Sequence, residues 1–107
     1  MDNILENSLL YDFYGELLTE KQKEIFSLYI EEDFSLSEIA AKFDITRQSI
    51  YDTIKTAQNL LEDYERKLGL VKKHLEHKKG LKEVLEMLND RQNLEIVKEK
   101  IIKLIEE

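Results

Sequence analysis

A chain of 107 residues with no proline, and with glycine only at positions 15, 69 and 80, contains almost nothing that stops a helix. Proline removes a backbone donor, and glycine pays the largest backbone entropy, so their scarcity leaves helix as the structure able to run longest. The expected fold class is all-α. Apolar residues at 42% can build a core, and together with 36% charged residues they exclude a disordered chain. The length allows one domain, or one domain with a helical extension. The lack of cysteine excludes disulfides and thiolate metal sites and fits a reducing compartment.

Helix boundaries follow from caps and apolar spacing. The first helix is expected from about residue 3 to 14, with Leu5, Leu9, Leu10, Phe13 and Leu17 at helical spacing and Gly15 as its stop. Thr19 and Gln22 form a capping box that opens a second helix carrying Ile25, Phe26, Leu28 and Tyr29. Glu31, Glu32 and Asp33 fall where the helix dipole disfavours acids, so they are expected in a loop. Ser35 with Glu38 is a second capping box, and Thr46 caps the helix after the Asp44-Ile45 turn. That helix shows an inward stripe of Ile50, Ile54, Ala57, Leu61, Tyr64 and Leu68 and meets no breaker before Gly69. Its expected length is roughly 22 residues, or ~33 Å. Beyond Gly69 the expectation is a basic helix to about 79, another from 81 to 88, a break at Asn89-Asp90 and a final helix with Leu94, Val97, Ile101 and Leu104 inward.

The stretch "SLSEIAAKFDITRQSIYDTIK", residues 35 to 55, is a helix-turn-helix: small Ala40 where two helices cross, Ile45 in the turn, and Ile50 and Ile54 as anchors. Such a unit reads DNA with the outward side chains of its second helix, here Arg47, Gln48, Tyr51, Asp52 and Lys55. Arg47 and Gln48 can address guanine and adenine edges. The surrounding charge opposes this use. The chain carries a formal net charge of -7, and residues 1 to 46 hold eleven acidic residues against three basic ones. Asp52 and the acidic loop stand where phosphates would lie, and binding energy for a duplex comes chiefly from phosphate contacts.

The basic residues gather elsewhere. "RKLGLVKKHLEHKKGLK", residues 66 to 82, holds seven Lys/Arg against the single Glu76. Lys72, Lys73, Lys78, Lys79 and Lys82, with Arg66 and Lys67, are candidates to follow an RNA backbone. The competing explanation is a solvated face that pairs with the acidic half of a second subunit. His74 and His77, three residues apart without a further histidine or cysteine, read as surface histidines rather than zinc ligands. Tyr11, Phe13, Tyr14, Phe26, Tyr29 and Phe34 are not interleaved with Lys or Arg and are assigned to core packing, with one or two hydroxyls at the surface. No glycine-rich phosphate loop, cysteine nucleophile or Ser-His-acid spacing is present, so the chain is not expected to be an enzyme or to need a cofactor. The last helix, "LEIVKEKIIKLIEE", carries more apolar surface than one seam needs, and homodimerisation through the C-terminal helices is expected. No apolar run approaches ~18 residues, and "MDNILENSLLYDFYG" is unlike a signal peptide, so a soluble cytoplasmic protein without membrane insertion is expected.

Residues 18 to 68 resemble region 4 of bacterial sigma factors, which binds promoter -35 elements. A closer resemblance covers nearly the whole chain: "LLYDFYGELLT", "DFSLSEIAAKF", "TRQSIYDTIK" and "LEDYERKLGL", in this order, are similar to the YlxM family of small cytosolic bacterial proteins. That resemblance implies a tri-helical, sigma-region-4-like helix-turn-helix core over residues 1 to 68 and a helical extension over 69 to 107, packed as one unit. It also implies a regulatory or accessory role in the signal recognition particle pathway, with particle RNA, its GTPase or its receptor as partners. DNA-binding transcriptional regulation through Arg47, Gln48, Tyr51 and Lys55 is the alternative. Sigma modules tend to be basic along the recognition helix, and Asp52, Glu62 and Asp63 depart from that pattern.

Overall fold

The computed structural model describes residues 4–91 and 93–107, and residue 3, the expected start of the first helix, lies outside them. Among the described residues the fold is all-α, with six α-helices, one 3-10 turn and no strand. The described residues as far as Val71 form one compact unit, and Lys72–Glu107 form a second.

In the first unit α1 (Ile4–Tyr14) leads through a 3-10 turn (Gly15–Leu17) to α2 (Glu20–Ile30), α3 (Leu36–Phe43) and α4 (Arg47–Leu68). All of the first three helices pack on α4, and α3 also packs on α2. Both capping boxes form: the Gln22 amide donates to Thr19 Oγ1 at 3.2 Å, and the Glu38 amide donates to Ser35 Oγ at 3.1 Å. The Glu38 carboxylate in turn accepts from the Ser35 backbone at 3.0 Å, and this bond holds its pKa below the ordinary value. The core is built from Leu10, Tyr14, Ile25, Phe26, Ile39, Ile50, Ile54 and Leu61, with Ala40 and Ala57 at the close crossings. Burying each large aliphatic side chain contributes about 1.5–3 kcal/mol, which makes the α4 stripe the main stabilising element.

The stripe departs from the expected pattern at its margins. Leu68 is 57% exposed because α4 runs past the core in its last turn, while Tyr64 is half-buried. After α1 the backbone tightens to three residues per turn, so Leu17 turns outward and Leu18 takes its place in the core. Leu5 and Phe13 are also exposed, since the core meets only one narrow face of α1.

The second unit corrects the expected break at Gly80. From Leu70 on, the basic segment belongs to one continuous helix, α5 (Leu70–Asn89), followed by α6 (Leu94–Glu106). Gly80 is buried rather than a hinge: a Cβ placed there would collide with Leu104 Cδ2. Glycine therefore lets α6 approach α5 instead of ending it. Val84 and Val97 are buried, and Lys100 Nζ meets Glu83 Oε2 at 3.0 Å. Asn93 caps α6 by accepting from the Glu95 amide at 2.8 Å, a cap not read from the sequence.

Candidate nucleic-acid interface

The helix-turn-helix is built by its turn. Asp44 adopts the left-handed conformation (φ 53), and the Ile45 amide donates back to the Ala40 carbonyl at 3.1 Å, closing α3 in a Schellman-type cap. Thr46 then opens α4 by accepting from the Ser49 amide at 3.0 Å. This geometry leaves Arg47, Gln48, Tyr51, Asp52 and Lys55 exposed along the first turns of α4. They are not five independent contacts. Gln48 Nε2 donates to Asp52 Oδ1 at 3.0 Å, so the amide suited to an adenine edge is engaged by the acid beside it. A shallow groove lined by Thr19, Lys21, Gln22, Asp52, Thr53 and Thr56 brings Lys21 to the same side. Sequence reading missed Lys21, because its position depends on how α2 crosses α4 and no local signal carries that.

The acidic loop is shaped by the end of α2. The Glu31 and Glu32 amides donate to the Ser27 carbonyl, and the Phe34 amide donates to the Leu28 carbonyl at 3.0 Å. Asp33 is left-handed (φ 57). Glu31, Glu32 and Asp33 are all exposed, which keeps their charge at the surface of the helix-turn-helix unit.

The basic segment is thinner than its composition. At the end of α4, Arg66 and Lys67 both pair with Asp63, and the Lys67 bond is the main cause holding the Asp63 carboxyl below its ordinary pKa. One carboxylate offsets only one of those two charges. The five lysines of α5, Lys72, Lys73, Lys78, Lys79 and Lys82, are all exposed. Lys79 lies near Glu83, whose carboxyl is held low first by its bond from Lys100 and only weakly by Lys79. At 1.5 Å per residue the five lysines extend over ~15 Å of one uninterrupted helix.

Of the two histidines, His74 is exposed, while His77 is half-buried, with Nε2 shielded and without a hydrogen-bond partner, 3.9 Å from Glu107 Oε2. His77 is therefore not the plain surface histidine that was expected. Among the described residues no group of three or more His, Asp or Glu is placed to hold a metal ion. Nor is any described helix long and apolar enough to cross a membrane.

Sequence reading also missed the junction of α4 and α5. Tyr14, expected only to pack, is 1% exposed, and its hydroxyl donates to Glu65 Oε1 at 2.6 Å while accepting from the Leu70 amide at 3.1 Å. Glu65 Oε1 also accepts from the Val71 amide at 3.0 Å. Two of the amides left without partners at the start of α5 are satisfied this way, by residues from α1 and α4. Burial, then the bond to Glu65, raises the Tyr14 pKa above its ordinary value of 10.0. Gly69, with φ +64, supplies the left-handed turn that folds Leu70 back to this pair.

Comparison with other proteins fits this architecture. Residues 1–105 match the family described as "Putative helix-turn-helix protein, YlxM / p13 like". A UPF0122 protein of Thermoanaerobacter pseudethanolicus is 49% identical over 113 residues, covering 99% of this chain and 96% of that protein. Relatives from Caldanaerobacter subterraneus (53% over 87 residues, 81% of this chain and 74% of the relative) and Acetivibrio thermocellus (44% over 109 residues, 100% and 93%) carry the same family name. The helix-turn-helix seen in α3 and α4 and the match along almost the whole chain agree: this protein belongs to the UPF0122 family of YlxM-like helix-turn-helix proteins.

Proposed function

We propose that this protein is a regulatory or accessory component of the signal recognition particle pathway that binds particle RNA, with the α5 lysines as the contact and the helix-turn-helix as a packing and recognition scaffold. The observation that carries the nucleic-acid half is the placement of Lys72, Lys73, Lys78, Lys79 and Lys82, all exposed, on one continuous helix. The pathway itself rests on the family resemblance. A protein partner, the particle GTPase or its receptor, is compatible with the same role. In this reading the protein is cytoplasmic, has no catalytic activity, and works as a homodimer through its C-terminal helices.

The alternative is a transcriptional regulator that places α4 in the major groove with Arg47, Gln48, Tyr51 and Lys55. It is favoured by the membership in a helix-turn-helix family and by the exposure of those four side chains. It is opposed by Asp52, which engages Gln48, and by the acidic loop. Binding measured side by side at low salt, to particle RNA, to duplex DNA and to the particle GTPase, separates the two. RNA binding that weakens as salt rises supports the first reading. An enriched DNA motif from site selection, lost in Arg47→Ala, would establish the second in its place.

A further inference from the structure

The second unit exposes an apolar face that neither reading of the nucleic-acid contact uses. Leu81, Leu85 and Leu88 of α5 lie a quarter-turn from the buried Gly80 and Val84, and Leu94, Ile101 and Ile105 of α6 lie a quarter-turn from the buried Val97 and the half-buried Leu104. The two helices run antiparallel, because Gly80 meets Leu104 while Glu83 meets Lys100 and His77 approaches Glu107. Rotation in the same sense on antiparallel helices brings both stripes to one side of the hairpin. The six side chains are 39% to 77% exposed. A contiguous apolar surface made of six large aliphatic residues exceeds what a lone soluble hairpin ordinarily shows to water.

The flanks of this face differ in charge. Outside the leucine stripe of α5 stand Lys78 and Lys82, and outside the α6 stripe stand Glu95, Glu99 and Glu106, with Lys98 between these acids and the stripe. A two-fold axis parallel to the helices would lay each α5 against the α6 of a second copy. Lys78 would then fall beside Glu106 of the partner subunit, and Lys82 beside Glu99 of the partner subunit. The other face-to-face arrangement, α5 upon α5, would bring lysines against lysines and is disfavoured by like charge.

We propose that this face binds a second copy of the same chain, forming an antiparallel four-helix bundle in which α5 of each subunit opposes α6 of the other. The proposal rests on the homodimer stated above and assigns its surface and its register. Such a bundle buries the apolar seam between two amphipathic layers. Lys72 and Lys79 lie on the side of α5 opposite Leu81 and Leu88, so the dimer keeps them at the surface for a nucleic acid, while Lys78 and Lys82 at the edge of the seam are shared with the partner's acids.

Sedimentation of the full chain at high micromolar concentration is expected to give the mass of two chains. The variant Leu85→Glu/Ile105→Glu alters two side chains already 59% and 77% exposed, so it should keep its helical circular dichroism and sediment as one chain. Because the chain has no cysteine, disulfide trapping reads the register directly. A mixture of Lys78→Cys and Glu106→Cys proteins should form the mixed covalent dimer, and neither variant should trap efficiently alone. A wild-type chain that stays monomeric overturns the homodimer itself. A dimer that survives Leu85→Glu/Ile105→Glu leaves the homodimer standing and overturns the assigned face. Efficient trapping of Lys78→Cys with itself overturns the register alone.

Discussion

Tyr14 and Gly80 each hold a place that no surface residue could hold. Removing the Tyr14 hydroxyl in Tyr14→Phe leaves the Leu70 amide without its acceptor and takes one donor from Glu65, while the buried ring stays. We expect a loss of about 1–3 kcal/mol in chemical denaturation, the range for stranding a buried polar partner. The raised pKa adds a sign. The folded state holds the Tyr14 proton more tightly than the unfolded chain, so this contribution is intact below the ordinary value of 10.0 and is lost as pH rises through the raised one. Alkaline destabilisation should therefore be weaker in Tyr14→Phe than in the wild type. At Gly80 the expectation is a reversal. In an open helix, Gly80→Ala would gain up to ~1 kcal/mol. Here the new Cβ meets Leu104 Cδ2, so Gly80→Ala should lower the melting temperature, and in a Leu104→Ala background the same change should raise it. Additive effects of the two substitutions would remove the close approach from the account.

The helices themselves divide by how local their causes are. α2, α3 and α4 were legible because their starts are written in adjacent residues: Thr19 with Gln22, Ser35 with Glu38, and Thr46. The helix-turn-helix was legible for the same reason, since Ala40, Ile45, Ile50 and Ile54 lie within one short stretch. The continuity of α5 was not, because glycine at 80 reads as a breaker unless the position of Leu104, distant in sequence, is known. Exposed lysines on α5 were expected, but the pairing of Arg66 and Lys67 with Asp63 and of Gln48 with Asp52 emerged only with side-chain geometry. The α5–α6 pair carries its own pH prediction. The Lys100 bond holds the Glu83 carboxyl below its ordinary value of 4.5, so the pair stabilises above that value and is lost as pH falls through the depressed one. Glu83→Gln should flatten the acid limb of the unfolding curve for the second unit, as amide exchange of α6 would report.

At the scale of the whole molecule, charge is distributed against the first guess a helix-turn-helix invites. Eleven acidic residues fall among residues 1 to 46 of the sequence, while the five exposed lysines lie on α5. Under the proposed function a nucleic acid is held by α5, and its affinity should fall with a salt slope set by a handful of phosphates. Each lysine removed from such a contact should lower that slope by about one. The direct test is a salt titration of particle-RNA binding by the wild type, Lys72→Glu/Lys73→Glu and Arg47→Ala. We predict a slope reduced by about two and weakened binding in the lysine variant, with Arg47→Ala close to the wild type. Wild-type binding by Lys72→Glu/Lys73→Glu, with the loss confined to Arg47→Ala, would contradict the assignment and return the contact to the helix-turn-helix.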